Sequence, residues 1–209
     1  MSKSGLANRL YDWLAATDRC QESDVIFVLA GRECRKHFAV RLFKEGWAPT
    51  LLLSVGRFEI RRFSKLELPA SLDLPAIASA IEPRRRHYFV TIGSGMASAR
   101  SIALGQFGTL REILAFSDWL RENPGIRSAT VVSSGFHLKR VRMCCRRIVP
   151  ACTRLTFVAV PDESLFLGHW WRDRKARKLV LSEVLKVAVY KLVCQGPMIK
   201  ERSSLGSVY

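Results

Sequence analysis

Val131-Val-Ser-Ser-Gly-Phe-His137-Leu-Lys-Arg140 reads as a hydrophobic strand that stops on small residues and passes into a helix carrying His137 and Arg140 near its start. Two earlier stretches end in a similar way, Val25-Ile-Phe-Val-Leu-Ala-Gly31-Arg32 and Leu51-Leu-Leu-Ser54-Val-Gly56-Arg57. Apolar residues at consecutive positions suit strands covered on both faces. Small strand ends, each followed by basic groups, suit the ligand crevice at the carboxyl edge of an open α/β sheet. These stretches locate a site without naming a reaction.

Working outward, apolar strands alternate with helical periodicity. Strands are expected at Asp24–Ala30, Thr50–Ser54, His87–Ile92, Ala129–Ser133 and Leu155–Val160. Between them the spacing predicts helices over Arg35–Glu45, closed by Gly46, over Thr109–Arg121, closed by Asn123-Pro-Gly125, and over Phe136–Ile148. Leu6, Leu10, Trp13 and Leu14 predict an N-terminal helix over 5–17, and a C-terminal helix is expected over 178–194. The stretch from Arg57 to Pro83 is less regular, with a short helix expected from Leu74 to Ile81. Gly93–Gly108, rich in Gly, Ser and Ala, reads as a flexible loop bordering the site. Strands alternating with helices predict an α/β fold with a mostly parallel sheet of about five strands. No repeat or linker divides the chain, so one domain is expected over 1–209, with its core at about 24–190.

Thirty-four Lys and Arg against eighteen Asp and Glu leave a net charge of +16. Attraction to an anion follows: a phosphorylated metabolite, a lipid headgroup or nucleic acid. The basic residues are spread over several segments, and no zinc-finger, RNA-binding or helix-turn-helix signature accompanies them, so nucleic acid is the least expected partner. Six cysteines form no C-x-x-C pair and no metal-ligand spacing, so no metal site is expected. The N-terminus lacks the apolar core of a signal peptide, which predicts reduced thiols in a cytoplasmic protein. Cys144-Cys145 are expected to pack as small hydrophobes. No stretch reads as a transmembrane helix. The apolar segment Leu179–Val193 reads as a docked core helix. The alternative is a helix lying on a membrane, at the inner face of the bilayer, because Trp170-Trp171 precede Arg172, Arg174, Lys175, Arg177 and Lys178.

Several motifs admit a structural and a chemical reading. Thr109-Leu-Arg-Glu112 has the form of a capping box. Ser133 or Ser134 would cap the helix that follows them, and the same Ser-Ser-Gly-Phe-His137 run holds a hydroxyl and an imidazole. No Gly-x-Ser-x-Gly elbow is present. In the first turn of a helix, the dipole disfavours a charged His137, which suits a neutral donor or base. Gly31 would let a phosphate approach the backbone beside Arg32 and Arg35. Arg57, Arg61 and Arg62 would clamp an anion or form a solvated basic face, with Glu59 among them as an ion-pair partner.

Taken together, four stretches resemble the YdcF/ElyC/SanA family of bacterial proteins. They are Val25–Gly31 followed by Arg35, Pro49–Gly56, Thr109–Glu112 and Val131–Arg140, with Glu183 and Lys186 as a weaker fifth. The resemblance implies a Rossmann-like, three-layer α/β/α fold. It implies a pocket lined by Gly31, Arg35, Ser54, Gly56, Thr109, Glu112, Ser133, His137 and Arg140. It also implies a role in envelope or surface-polysaccharide metabolism and, by one branch, S-adenosylmethionine binding. The chain departs from the family at Ala30-Gly31, where two or three glycines are usual, at Val55, and at Gln106, where an acid is usual. The expected ligand is therefore a phosphorylated or nucleotide-like, or lipid-linked, anion held by Arg32, Arg35, Arg57, Arg140, Ser54, Ser133, Ser134 and Thr109. If the protein is a hydrolase or transferase, His137 is the acid/base candidate and Glu112 the carboxylate. Two further expectations stand beside this one: a non-catalytic module binding S-adenosylmethionine or a nucleotide, and a peripheral membrane or scaffold protein.

Overall fold

The computed structural model describes residues 3–56, 87–93, 96–102, 107–161 and 169–194. The elements follow the order α1 (Lys3–Leu14), β1 (Val25–Val28), α2 (Glu33–Lys44), β2 (Thr50–Gly56), β3 (His87–Gly93), β4 (Met96–Ser101), α3 (Gly108–Glu122), β5 (Ser128–Ser133), α4 (Gly135–Ile148), β6 (Arg154–Ala159) and α5 (Arg174–Val193). The strands form one six-stranded sheet in the order β4-β3-β2-β1-β5-β6. β2, β1, β5 and β6 run parallel, while β3 is antiparallel to β2 and β4 antiparallel to β3. The molecule is an α/β protein with a mostly parallel central sheet flanked by helices, consistent with a Rossmann-like three-layer fold.

The two faces of the sheet explain the uninterrupted apolar strands. Phe27, Leu29, Leu52, Phe89, Val131 and Phe157 pack on one face against α3 and α4, where Phe27 stacks on Phe116 at 4.1 Å. Ile26, Val28, Leu51, Leu53, Val90 and Val132 pack on the other against Ala39, Val40 and Leu42 of α2. A third cluster ties α1 to α5 through Leu14, Phe136, Trp170, Val180 and Val187. Helix α2 closes as expected: Gly46 takes φ +83, its N–H reaches the Phe43 carbonyl, and the Trp47 N–H reaches that of Leu42.

The fold departs from the sequence reading at four places. Residues 96–101 of the expected loop form edge strand β4, with alternating exposed and half-buried residues. Pairing with β3 supplies its backbone hydrogen bonds, so its small residues need no strand preference of their own. Thr109 and Glu112 make no capping box. Phe107 is the N-cap, at φ 63 and ψ 55, and both side chains turn inward to tertiary partners. Ser134 does sit at the N-cap of α4, yet its hydroxyl caps nothing and accepts from Arg35 instead. Trp170 lies in the interior, with its indole N–H 3.2 Å from the Ala7 carbonyl, so it is no interfacial anchor. The short helix expected from Leu74 to Ile81 lies outside the described residues, as does Gln106. All six cysteines are thiols, and Cys144 and Cys145 are buried in the core as expected. Among the described residues no helix is long and apolar enough to cross a membrane.

Candidate functional site

Chain order reverses at β1: β2 lies to one side of it and β5 to the other. At such a switch point the connections after the two strands leave in opposite directions and open a crevice at the carboxyl edge. Leu29 and Ala30 follow β1 there, Ser133 ends β5, and Ser134 follows it. Ser54 lies close to the end of β2. Because β3 is antiparallel, its first residue, His87, pairs with Gly56 and arrives at the same edge.

Glu112 reaches this edge from α3. Its Oε1 accepts the Ser54 hydroxyl at 2.6 Å and the Ala30 amide at 2.9 Å. His87 Nε2 stands 2.8 Å from Ser54 Oγ and 3.5 Å from the same carboxylate oxygen. With the Ser54 proton directed at Glu112, Nε2 must be the protonated ring nitrogen facing the serine. Serine and carboxylate therefore meet the same nitrogen, whereas a nucleophile–base–carboxylate relay needs them on opposite nitrogens. The trio fastens α3 to the strand ends and leaves Ser54 poorly placed as a nucleophile. Burial alone would raise the Glu112 pKa. His87, Ser54 and the Ala30 amide outweigh it and hold the carboxyl below its usual range.

A second cluster joins α3, α4 and α5. Arg140 Nε and Nη2 make a two-pronged contact with Glu183 at 3.0 and 3.1 Å, and Nη1 donates to Thr109 Oγ1 at 2.7 Å. Lys186 Nζ adds a contact to Glu183 at 2.9 Å, and the Arg140 guanidinium lies over the Tyr190 ring at 4.8 Å. Burial opposes the charge on Glu183, but His137, Arg140 and Lys186 prevail and bring its pKa to about 2. His137 Nδ1 is 3.5 Å from Glu183 Oε2, without hydrogen-bond geometry. Burial, reinforced by the charges of Arg140 and Arg35 and opposed by Glu183, lowers the His137 pKa to about 4. The imidazole is thus neutral near pH 7, a proton acceptor rather than a donor.

The third group lies between β1 and β5. Arg35 folds back from the first turn of α2, donating from Nε to Ser134 Oγ and from Nη1 to the Ala30 carbonyl, both at 2.7 Å. Gly31, at φ +126, makes room for it: a Cβ there would lie 3.0 Å from Nη1. The glycine cradle expected for a phosphate is thus occupied by an arginine of the chain itself. Exposed Arg32 sits over the Phe136 ring at 5.3 Å, at the entry to α4. Two side-chain atoms at this edge, Ser133 Oγ and His137 Nδ1, are buried without a hydrogen-bond partner.

Of the sequence candidates, Gly31, Arg35, Ser54, Thr109, Glu112, Ser133, Ser134, His137 and Arg140 thus converge on one edge of the sheet. Gly56 ends β2 beside His87, and Arg57, Glu59, Arg61 and Arg62 lie outside the described residues. Two members of the site, His87 and Glu183, are not among the sequence candidates. His87 carries no local motif; only the antiparallel return of β3 brings it in. Glu183 had a signal, its position with Lys186 on the last helix, but nothing in the sequence pairs it with Arg140. No three His, Cys, Asp or Glu side chains are placed to hold a metal among the described residues. Among the described residues both carboxylates at this edge are already engaged, one by Arg140 and Lys186, the other by Ser54, His87 and a backbone amide, so neither faces outward to the sulfonium of S-adenosylmethionine. Comparison of the chain with known protein families, with curated proteins and with solved structures finds no match.

Proposed function

We propose that this protein binds a small phosphorylated or nucleotide-like anion at the carboxyl edge of its sheet, between β1 and β5. One observation carries the reading: Ser133 Oγ is buried there without a hydrogen-bond partner, beside His137, whose Nδ1 has only the 3.5 Å approach of Glu183 and no hydrogen bond. An unsatisfied buried polar atom is costly and calls for an explanation such as a ligand. The guanidiniums of Arg35 and Arg140 set the sign of that ligand, since both approach the same edge and both lower the pKa of His137. Both are held in place by the chain, Arg140 by Glu183 and Thr109, and Arg35 by Ser134 and the Ala30 carbonyl.

If the bound molecule reacts, neutral His137 takes the proton from the attacking water or acceptor hydroxyl as that oxygen bonds to phosphorus. The bond from phosphorus to the leaving oxygen breaks, and the leaving oxygen departs with the electron pair and is protonated by water. Glu183 orients the ring and stabilises the imidazolium that forms. That is the chemistry of a hydrolase or transferase acting on a phosphorylated substrate. The resemblance to the YdcF/ElyC/SanA family adds envelope or exopolysaccharide metabolism as the setting we propose. The test is a thermal-shift screen of nucleotides, sugar nucleotides, polyprenyl-phosphate mimics and S-adenosylmethionine, run on wild type and on His137→Ala. A shift with an anionic ligand, reduced in the variant, supports the site. A shift that His137→Ala and Arg35→Gln both leave intact places the ligand elsewhere. Product formation that survives His137→Ala removes the proposed proton acceptor.

A further inference from the structure

Helix α5 has two apolar faces, and the fold uses one. Ala176, Val180, Glu183, Val187 and Tyr190 are buried against the body of the protein. On the opposite side Leu181, Leu185, Val189 and Leu192 are 51%, 69%, 47% and 71% exposed, with exposed Ala188 among them. At 3.6 residues per turn these five positions fall within roughly 100° of arc and run about 16 Å along the helix. A helix that only docks on a domain carries polar residues on its outward face. Here the outward face is a leucine stripe.

The charges around the stripe indicate what covers it. Arg174, Lys175, Arg177 and Lys178 are exposed in the first turns and Lys191 is exposed near the end. Arg174 and Lys178 continue the arc of the stripe itself. Cations at a helix N-terminus oppose the helix dipole, so these residues do not serve the helix. The two acids of this stretch are otherwise engaged: Asp173 caps the helix through the Ala176 amide at 2.7 Å, and Glu183 is buried with Arg140. The outward face therefore consists of apolar and basic side chains. A second copy of the chain docked on it would bring two such basic faces together, which disfavours self-association.

We propose that the outward face of α5 binds the surface of an anionic phospholipid bilayer, with Leu181, Leu185, Val189 and Leu192 entering the headgroup–acyl boundary and the flanking Arg and Lys contacting phosphates. This is the geometry of a helix lying in the interface plane. The surface is separate from the anion site, although α5 also carries Glu183 on its inner side.

The experiment is co-sedimentation of the full chain with phosphatidylcholine vesicles, with and without phosphatidylglycerol. Binding is expected to be about tenfold or more tighter to the anionic vesicles at low salt and to weaken as salt rises. Leu185→Glu with Leu192→Glu is expected to lower vesicle affinity about tenfold or more, with the melting temperature kept. The combined variant Arg174→Gln, Lys175→Gln, Arg177→Gln and Lys178→Gln is expected to lose the preference for anionic vesicles. Failure to bind either vesicle type, or equal binding to both, overturns the proposal. A dimer seen by light scattering that Leu185→Glu dissolves would overturn it too, by showing that a second copy covers the stripe.

Discussion

Glu183 is a nearly fully buried carboxylate whose charge depends on Arg140, with help from half-exposed Lys186. Removing one partner of a buried pair leaves an uncompensated charge, whereas replacing both with apolar groups removes the desolvation cost as well. Arg140→Met is therefore expected to destabilise the protein by about 3–5 kcal/mol. Adding Glu183→Met should recover most of that loss in chemical denaturation. His137 and Glu183 also set a pH dependence. The folded-state pKa of His137, about 4, lies below its ordinary 6.5, so the unfolded chain binds more protons between those values. Stability is full above about pH 6.5 and falls as the pH drops toward 4, by a few kcal/mol. Glu183, at about 2 against 4.5, adds a further loss from about pH 4.5 down to 2. His137→Gln should flatten the limb between pH 6.5 and 4 in a series of denaturation curves and only reduce the more acidic limb, because Arg140 and Lys186 still hold Glu183 charged. An unchanged upper limb would show that the ring is not held neutral by its burial.

At the scale of elements, β3 is the strand that changes the site. Had it run parallel to β2, its first residue would lie at the opposite edge. As an antiparallel neighbour it delivers His87 to Ser54 and Glu112. Ser54→Ala leaves both Glu112 and the His87 Nε2–H short of a partner in a buried place. The expected cost is about 1–3 kcal/mol, read from denaturant midpoints at unchanged m-value. The helix ends show where local rules hold. Gly46 was readable as a stop because a left-handed C′ position favours glycine at any helix end, and its φ of +83 follows that rule. Thr109-x-x-Glu112 has the spacing of a capping box, but spacing only establishes what the two side chains can reach. Tertiary partners, Arg140 for Thr109 and the Ser54 hydroxyl with the Ala30 amide for Glu112, outcompete the helix's own N-terminus. β4 shows the converse, a segment with no strand pattern that becomes a strand because an open edge of β3 lies beside it.

For the whole molecule, the switch point between β1 and β5 gathers its polar groups at one edge of an otherwise apolar sheet. A ligand present at one hundred times its dissociation constant stabilises the folded state by about 2.7 kcal/mol, for a chain of this size roughly 5–10 °C in melting temperature. That shift, larger for the phosphorylated member of a ligand pair than for its unphosphorylated counterpart, is the expected result of the screen. Equal shifts for the two members would mean that Arg35 and Arg140 do not read the phosphate.

The sequence by itself determined the α/β alternation, the buried strands and the small residues that end them at one edge of the sheet. Those follow from short-range periodicity and from small residues at strand ends, which any local window contains. Only the tertiary structure decided the antiparallel course of β3 and β4, the Arg140–Glu183 pair and the place of His87. It also placed Arg35 over Gly31 and turned the leucine stripe of α5 outward rather than into the core. Each of these depends on which distant segment lies alongside, and neither hydrophobic periodicity nor motif spacing encodes that.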